Sequence, residues 1–338
     1  MTGVLAGSDF LRAPVLGAAR PEAFKEWHHF VVHGRTGRFL INFSLTNEQT
    51  PSGRYRLAPR VIVIAHDDQW TGAVERFDET ALDISADLGA CRIGGNRMTL
   101  RPDGYEVLID LPGIRGELHL TSVSRPFVVN NQPAGQGRMS WLFVPRLRAD
   151  GWLRLGDREH RMESNLAYHD HNWGRFRWGD DFGWTWGTIL PAEPGDPWSL
   201  VFLQMTDGRR LHYLSQALYV WHHDEPAAIF RHAAVRMRAS GRLDRAPDCT
   251  LPPPMRLLVD GDVPGVPERV EITASRAGDA VHAEFRPQSY ARLAQPSEVS
   301  LQRSTVLCEA GGTARMSGSI NGRSVDFAGT GVFEFLHG

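Results

Sequence analysis

Apolar and polar residues alternate with period two along most of the chain, in short runs bounded by Gly, Pro, Asn and Asp, and long stretches of helical periodicity are scarce. Alternation of this kind puts successive side chains on opposite faces of a strand, so the pattern predicts an antiparallel all-β protein. Residues 27–33 and 38–45, joined by Gly34-Arg35-Thr36-Gly37, predict a hairpin with Phe39, Ile41 and Phe43 on one face. Further strands are predicted at residues 60–66, 105–111, 116–123 and 139–144, while residues 78–83 favour no state. Near the C-terminus Asn321-Gly322 separates residues 314–320 from 323–327, and both turn residues tolerate the positive φ of a two-residue hairpin.

Breakers concentrate at residues 191–197 and 246–267, the second stretch holding Pro252-Pro253-Pro254. A chain of 338 residues suits two domains of roughly 150 residues each. A boundary in the second stretch would leave a C-terminal piece of fewer than about a hundred residues, small for a β-barrel. The expected division is therefore 1–190 and 191–338. Both halves have the same many-stranded character, and closed barrels remove exposed strand edges while enclosing room for a small ligand.

Composition narrows the partners. The hydrophobic share is 42% and the charged share 22%, values of a soluble globular protein, and no apolar run approaches the roughly 18 residues of a membrane span. A net charge of -2 with scattered Arg gives no electrostatic reason to expect nucleic acid or an anionic membrane. Cys91, Cys249 and Cys308 are odd in number and far apart, which argues against a disulfide framework. Residues 1–17 lack the basic start and continuous apolar core of a secretory signal, so a cytoplasmic setting is expected. Lys25 is the sole lysine, placed at the edge of the first predicted strand, which leaves little scope for Schiff-base chemistry. Gly-x-Ser-x-Gly, His-Glu-x-x-His, Cys-x-x-Cys, a phosphate-cradling Gly-Lys-Ser/Thr loop and Gly-x-Gly-x-x-Gly are all missing. Neither cofactor nor metal is expected on these grounds.

The densest chemistry lies in Tyr168-His169-Asp170-His171-Asn172-Trp173-Gly174, with Trp178, Trp184 and Trp186 following. In an extended segment Tyr168, Asp170 and Asn172 share one face and His169 and His171 the other. The first face offers an acid beside a phenol and an amide. The second offers a His-x-His pair that could hold a metal with His28, His29 or His66, although strand histidines more often cap a barrel or bond carbonyls. Asp170 is the candidate acid, because protonating an alkene takes a carboxyl group kept neutral by apolar surroundings and aimed by a partner. The competing account is a buried carboxylate that ties loops together through backbone N–H groups. Trp184 and Trp186 alternate onto one face and suit a pocket wall, whereas Trp173 and Trp178 suit structural packing. Arg146, after Pro145, could orient Asp170 or bind a polar substrate group in bidentate fashion, but its residue type more often forms a surface ion pair, which is the expectation.

The sequence resembles the carotenoid 1,2-hydratase (hydroxyneurosporene synthase) family, two-domain lipocalin-like proteins that include related cyclases and Diels-Alderases. The resemblance rests on Glu26-Trp27-His28-His29-Phe30, Trp141 with Pro145-Arg146, Gly151-x-Leu153, the Tyr168 to Gly174 motif and Gly183-Trp184-x-Trp186. It implies two lipocalin-like (calycin) antiparallel β-barrel domains, a site in or near the first, and chemistry without redox cofactors. It implies Tyr168 and Asp170 as the acid pair and Trp141, with Trp27, as pocket aromatics; Trp184, Trp186, Asn172 and His29 are further expected to contact substrate. His28-His29 depart from the aromatics common at that point in the family, which speaks against a long carotenoid. The expected activity is hydration or cyclisation of a carbon-carbon double bond in an apolar isoprenoid, polyene or polyketide-derived molecule. Two alternatives stay open, a pericyclase that preorganises a polyene and a carrier that binds a lipid or pigment unchanged.

Overall fold

The structure is a computed structural model that describes residues 4–16, 22–35, 37–50, 52–243, 249–250, 265–300 and 303–337. Thr36 of the first predicted turn and most of the breaker-rich stretch 246–267 lie outside the described residues. Two short helices, α1 (Val4–Ser8) and α2 (Ala13–Leu16), precede strands throughout. The first twelve strands are β1 (Phe24–His33), β2 (Arg38–Gln49), β3 (Tyr55–His66), β4 (Trp70–Arg76), β5 (Leu82–Ile84), β6 (Ala90–Ile93), β7 (Asn96–Arg101), β8 (Gly104–Leu111), β9 (Ile114–Ser122), β10 (Phe127–Ala134), β11 (Gly137–Leu155) and β12 (Arg158–Arg175). Then come β13 (Phe182–Pro191), β14 (Trp198–Asp207), β15 (Tyr213–His222), β16 (Glu225–Arg231), β17 (Val235–Ser240), the two-residue β18 (Cys249–Thr250), β19 (Arg269–Arg276), β20 (Asp279–Pro296), β21 (Ser304–Ile320) and β22 (Arg323–His337). Every described strand pairing is antiparallel, as the alternation predicts. The ambiguous stretch near residue 80 is a 3-10 turn, Glu79–Ala81, capped by Asp78.

The chain divides into two compact units between Phe176 and Arg177. That is earlier than the expected boundary at 190/191, for a reason visible in the ladders. Arg175 still pairs with Phe24 of β1 and Arg138 of β11, whereas β13 pairs with β14 and β22 along its whole length. The Trp-rich stretch is thus cut in two, and Pro191 ends a strand of the second unit instead of opening it.

In the first unit the sheet runs β4-β3-β2-β1-β12-β11-β9-β8-β7-β6-β5, with β10 on β11. Its core takes Phe30 and Val32 of β1, Phe39, Ile41 and Phe43 of β2, Val61 and Val63 of β3, and Leu142 and Val144 of β11. Each such side chain contributes roughly 1.5–3 kcal/mol by leaving water. In the second unit the order is β16-β15-β14-β13-β22-β21-β20-β19-β17, around a core that includes Phe202, Phe285, Phe333 and Phe335. Asn321 (φ 51°) and Gly322 (φ 72°) form the predicted tight turn between β21 and β22. The architecture is lipocalin-like and all-β.

Candidate active site

Two faces of the β1-β12-β11 ribbon carry the chemistry, and strand register assigns each residue to one of them. Asp170 pairs with His29 of β1 and with Phe143 of β11, while Asn172 pairs with Trp27 and Trp141 and Tyr168 pairs with Val31. Trp27, His29, Trp141, Phe143, Tyr168, Asp170 and Asn172 therefore share the face turned away from the apolar core. All seven are buried. Trp27, His29 and Asn172 nonetheless keep 6–7% of their surface, whereas Phe30, His169 and His171 on the core side keep none.

Within this outer face the Asn172 side-chain N–H donates to Asp170 Oδ1. Oδ2 of Asp170 is turned toward His29, whose Nδ1 lies 3.9 Å away. Burial, and then the neighbouring His169, push the His29 imidazole down to about 3, so it is neutral at physiological pH. Trp141 stacks on Phe143 at 4.5 Å between ring centroids, and Trp27 meets Phe176 edge-on at 5.7 Å. Tyr168 stands two residues from Asp170 on the same face, about 7 Å along the strand. Asn42 of β2, in register with His29, has a buried side-chain oxygen with no hydrogen-bond partner among the described residues.

The core-side face holds the two motif histidines, and the N-terminal segment supplies their partners. Asp9 lies 2.6 Å from His171 Nδ1 and 3.0 Å from His169 Nε2, and it accepts a 2.6 Å bond from the Tyr105 hydroxyl. Nε2 of His171 reaches Glu26 at 2.9 Å, and Glu26 in turn accepts the backbone N–H groups of Arg12 and Ala13. With a carboxylate on each ring nitrogen, His171 is an imidazolium. Burial opposes its charge, but the field of Asp9 and the bonds to Asp9 and Glu26 overcome it and raise the group to about 9. Burial would likewise raise Asp9, yet the surrounding histidines hold it well below the usual carboxylate range. His169 faces an acceptor at each nitrogen, the His29 carbonyl 2.9 Å from Nδ1 and Asp9 3.0 Å from Nε2, and burial lowers its pKa against the opposing field of Asp9.

Asp9, His28 and His171 bring ligand atoms within 4.8 Å of one another, the one group among the described residues close enough to suggest a metal. Ring geometry argues against it. His28 and His171 stack face to face at 3.8 Å with 21° between their planes, and an ion bound in the plane of one ring would lie outside the plane of the other. Both nitrogens of His171 are already engaged. The arrangement fits an ion-pair network with a neutral His28 laid over the charged ring, burial first and His171 second keeping His28 uncharged.

Trp184 and Trp186 lie on β13 of the second unit and share the face opposite its core, where Trp186 pairs with Glu334. Trp178 packs edge-on against Trp184 at 5.1 Å, and Trp173 belongs to the core side of the first unit. Arg146 is buried, not a surface residue, because its strand runs beneath the loop whose Val123 and Ser124 N–H groups bond its carbonyl. Lys25 is buried too, with its ammonium 3.1 Å from the Phe176 carbonyl. Asp9, Glu26, Asn42, Glu309 and Glu334 are the polar residues that sequence reasoning missed. Only Glu26 carried a signal, its place beside Trp27-His28-His29.

These features define an all-β protein with a buried acid set among aromatic rings on the outer face of a lipocalin-like sheet. No protein-family model matches the chain, and no curated protein matches its sequence. Solved structures do share its fold. An AttH-type protein (NE1406) of Nitrosomonas europaea aligns over 97% of both chains, with a TM-score of 0.63 and 13% identity. Kievitone hydratase of Nectria haematococca aligns over 99% of this chain and 95% of its own, with a TM-score of 0.58 and 12% identity. CghA in complex with Sch210972 aligns over 94% and 89%, with a TM-score of 0.61 and 14% identity. Among the described residues no helix is long and apolar enough to cross a membrane.

Proposed function

We propose that the chain is a cofactor-independent acid/base enzyme that hydrates or cyclises a carbon-carbon double bond of an apolar isoprenoid, polyene or polyketide-derived molecule. The observation that carries this reading is the disposition of Asp170. Its Oδ1 accepts from the Asn172 amide and its Oδ2 faces a neutral His29, on the strand face that also carries Trp27, Trp141 and Phe143, and in this reading Oδ2 carries the proton of the acid form. Transfer of that proton forms a C–H bond at one alkene carbon and leaves a cation at the other. Aromatic faces each stabilise such a cation by about 0.5–2 kcal/mol when desolvated. Attack by water followed by proton loss to the Asp170 carboxylate, directly or through the His29 imidazole, gives the alcohol and resets the site. Attack by an internal alkene or heteroatom, followed by loss of a proton to the Asp170 carboxylate, gives a ring, and exclusion of water decides between the two. Tyr168 orients the carboxyl group or returns its proton. Likeness in fold to kievitone hydratase agrees with the hydration branch.

A pericyclase is the second reading, favoured by the Asn42 and Asn172 amides, which can hydrogen-bond a polyene carbonyl without transferring a proton. Mass spectrometry of products from linear isoprenoids and polyenes in heavy-oxygen water separates the outcomes. Uptake of one labelled water establishes hydration, an isomer of unchanged mass establishes cyclisation or cycloaddition, and unchanged ligand throughout contradicts an enzyme. The Asp170→Asn variant then divides the last pair, since a proton donor is abolished by it and a hydrogen-bonding template keeps much of its rate.

A further inference from the structure

Among the described residues, Arg38 carries a charge that no acid balances. It opens β2, in register with His33 of β1 and His66 of β3. Phe39, Ile41 and Phe43 of β2 enter the core, as do Val32 and Ala65 beside the two histidines, so all three basic residues stand on the outer face. Trp70 of β4 follows in register, its ring 4.9 Å from that of His66. Arg38 forms neither an ion pair nor a side-chain hydrogen bond among the described residues, and its Nε and the Trp70 Nε1 are buried without an acceptor there. Asp67 and Asp68, which follow His66, are engaged by Arg158 at 3.1 and 2.6 Å. Asp67 also lies 3.6 Å from His160, whose ring packs on Phe39 of the core.

Both flanking imidazoles are uncharged at physiological pH. Burial first, and the Arg38 charge second, push His33 down to about 3, and the same two causes lower His66 against the opposing fields of Asp67 and Asp68. Burial brings the Arg38 guanidinium down to about 10, which leaves it a cation at neutral pH. A desolvated cation without a partner is unfavourable, and an oxyanion that meets its planar fork with two parallel N–H···O bonds relieves that cost. The indole N–H of Trp70 is a further donor on the same face. Arg38, His33 and His66 each keep part of their surface exposed, so the site opens to solvent.

The place of this charge on the sheet links it to the candidate acid. Arg38 stands four residues from Asn42, and His33 four from His29, about 13 Å along the strands. Between them on this face are Val31, Leu40 and Ile64, all buried and apolar.

We propose that Arg38, framed by His33 and His66, is an oxyanion site that binds a carboxylate or phosphate at one end of the substrate while Asp170 faces the double bond. The anion site stands without the functional reading above, and the assignment of its anion to the substrate rests on that reading.

Nuclear magnetic resonance of the wild type tests the site. The Arg38 Nε–H signal, assigned by its loss in Arg38→Lys, is expected to shift saturably on addition of sodium phosphate and of dodecanoate. No shift with either overturns the site. Arg38→Leu is expected to unfold in urea at a midpoint no lower than that of the wild type, because removal of an unpaired cation orphans no partner. A pronounced fall in the midpoint reveals a structural partner and overturns the site as well. Calorimetry then compares dodecanoate with 1-dodecanol. The acid is expected to bind about tenfold or more tightly, and this preference is expected to vanish in Arg38→Leu. Equal binding of acid and alcohol to the wild type overturns the assignment to the substrate and leaves a site for free anions. Binding of neither chain overturns the apolar-substrate reading, while the phosphate titration still decides the anion site.

Discussion

Strand β12 carries ionisable groups on both faces, and the two sets are built by different rules. On the core side His169 and His171 meet Asp9, Glu26 and Tyr105 at 2.6–3.0 Å. Charge there is matched to charge, and the network closes upon itself. On the outer side Asp170 has one oxygen held by Asn172 and the other 3.9 Å from a neutral His29, on a strand face shared with Trp27, Trp141 and Phe143. A closed network stabilises a fold, whereas an acid placed beside a neutral imidazole and aromatic rings is set up for chemistry. On the proposed function, adjacent residues of one motif serve structure and reaction by turns.

Breaking the closed side has the largest expected effect on stability. Asp9→Ala leaves the His171 imidazolium with one partner and strips Tyr105 and His169 of theirs, and removal of one member of a buried ion pair typically costs about 3–5 kcal/mol. Urea denaturation of the variant is expected to show a loss of that size.

The pH dependence of stability sharpens the same contrast. His171 titrates at about 9 in the fold against 6.5 unfolded, so its contribution is complete below 6.5 and is lost as the pH rises through 9. That loss amounts to about 3 kcal/mol at 1.36 kcal/mol per unit. His29 behaves oppositely. Its folded value of about 3 means that its contribution is present above 6.5 and is lost as the pH falls below that value toward 3. Denaturation midpoints are therefore expected to peak near pH 6.5, and His171→Gln is expected to flatten the alkaline limb while leaving the acid limb in place.

Smaller effects belong to the outer face. Asn172→Leu removes the donor that fixes Asp170 Oδ1, and its bond to the carboxylate that forms as the proton leaves is worth about 1.5–3 kcal/mol. Its signature should be a fall in kcat with little change in KM. Trp27→Leu and Trp141→Leu each remove one cation-facing ring, and steady-state rates are expected to drop by the equivalent of about 0.5–2 kcal/mol per ring.

Much of this was legible beforehand. The alternation gave the strands, Asn321-Gly322 gave the last hairpin, and the spacing of Tyr168, Asp170 and Asn172 gave a shared face that also receives Trp27 and Trp141. Contacts across long separations were not legible, because register between distant strands leaves no local mark. Asp9 meets residues more than 150 positions away, and Glu309 finds Glu334 only through the β21-β22 ladder. The division of the chain was misplaced for a related reason. Prolines mark where a strand ends, and Pro191 ends β13, but which unit a strand joins depends on its partners. Arg146 misled because an Arg following a Pro looks like a surface residue when the segment packed over it is unseen.

The central claim is that the outer face performs the reaction while the core-side face only holds it in place. The most direct test is to measure urea stability and turnover on the same preparations of Asp170→Asn and Asp9→Asn, using the substrate found by product analysis. Asp170→Asn is expected to keep its stability to within about 1 kcal/mol and to lose about 10²–10⁴ in turnover, the usual worth of a positioned proton donor. Asp9→Asn is expected to lose stability heavily while its folded fraction turns over near the wild-type rate. Full turnover in Asp170→Asn, or an unchanged stability with lost turnover in Asp9→Asn, would contradict the account.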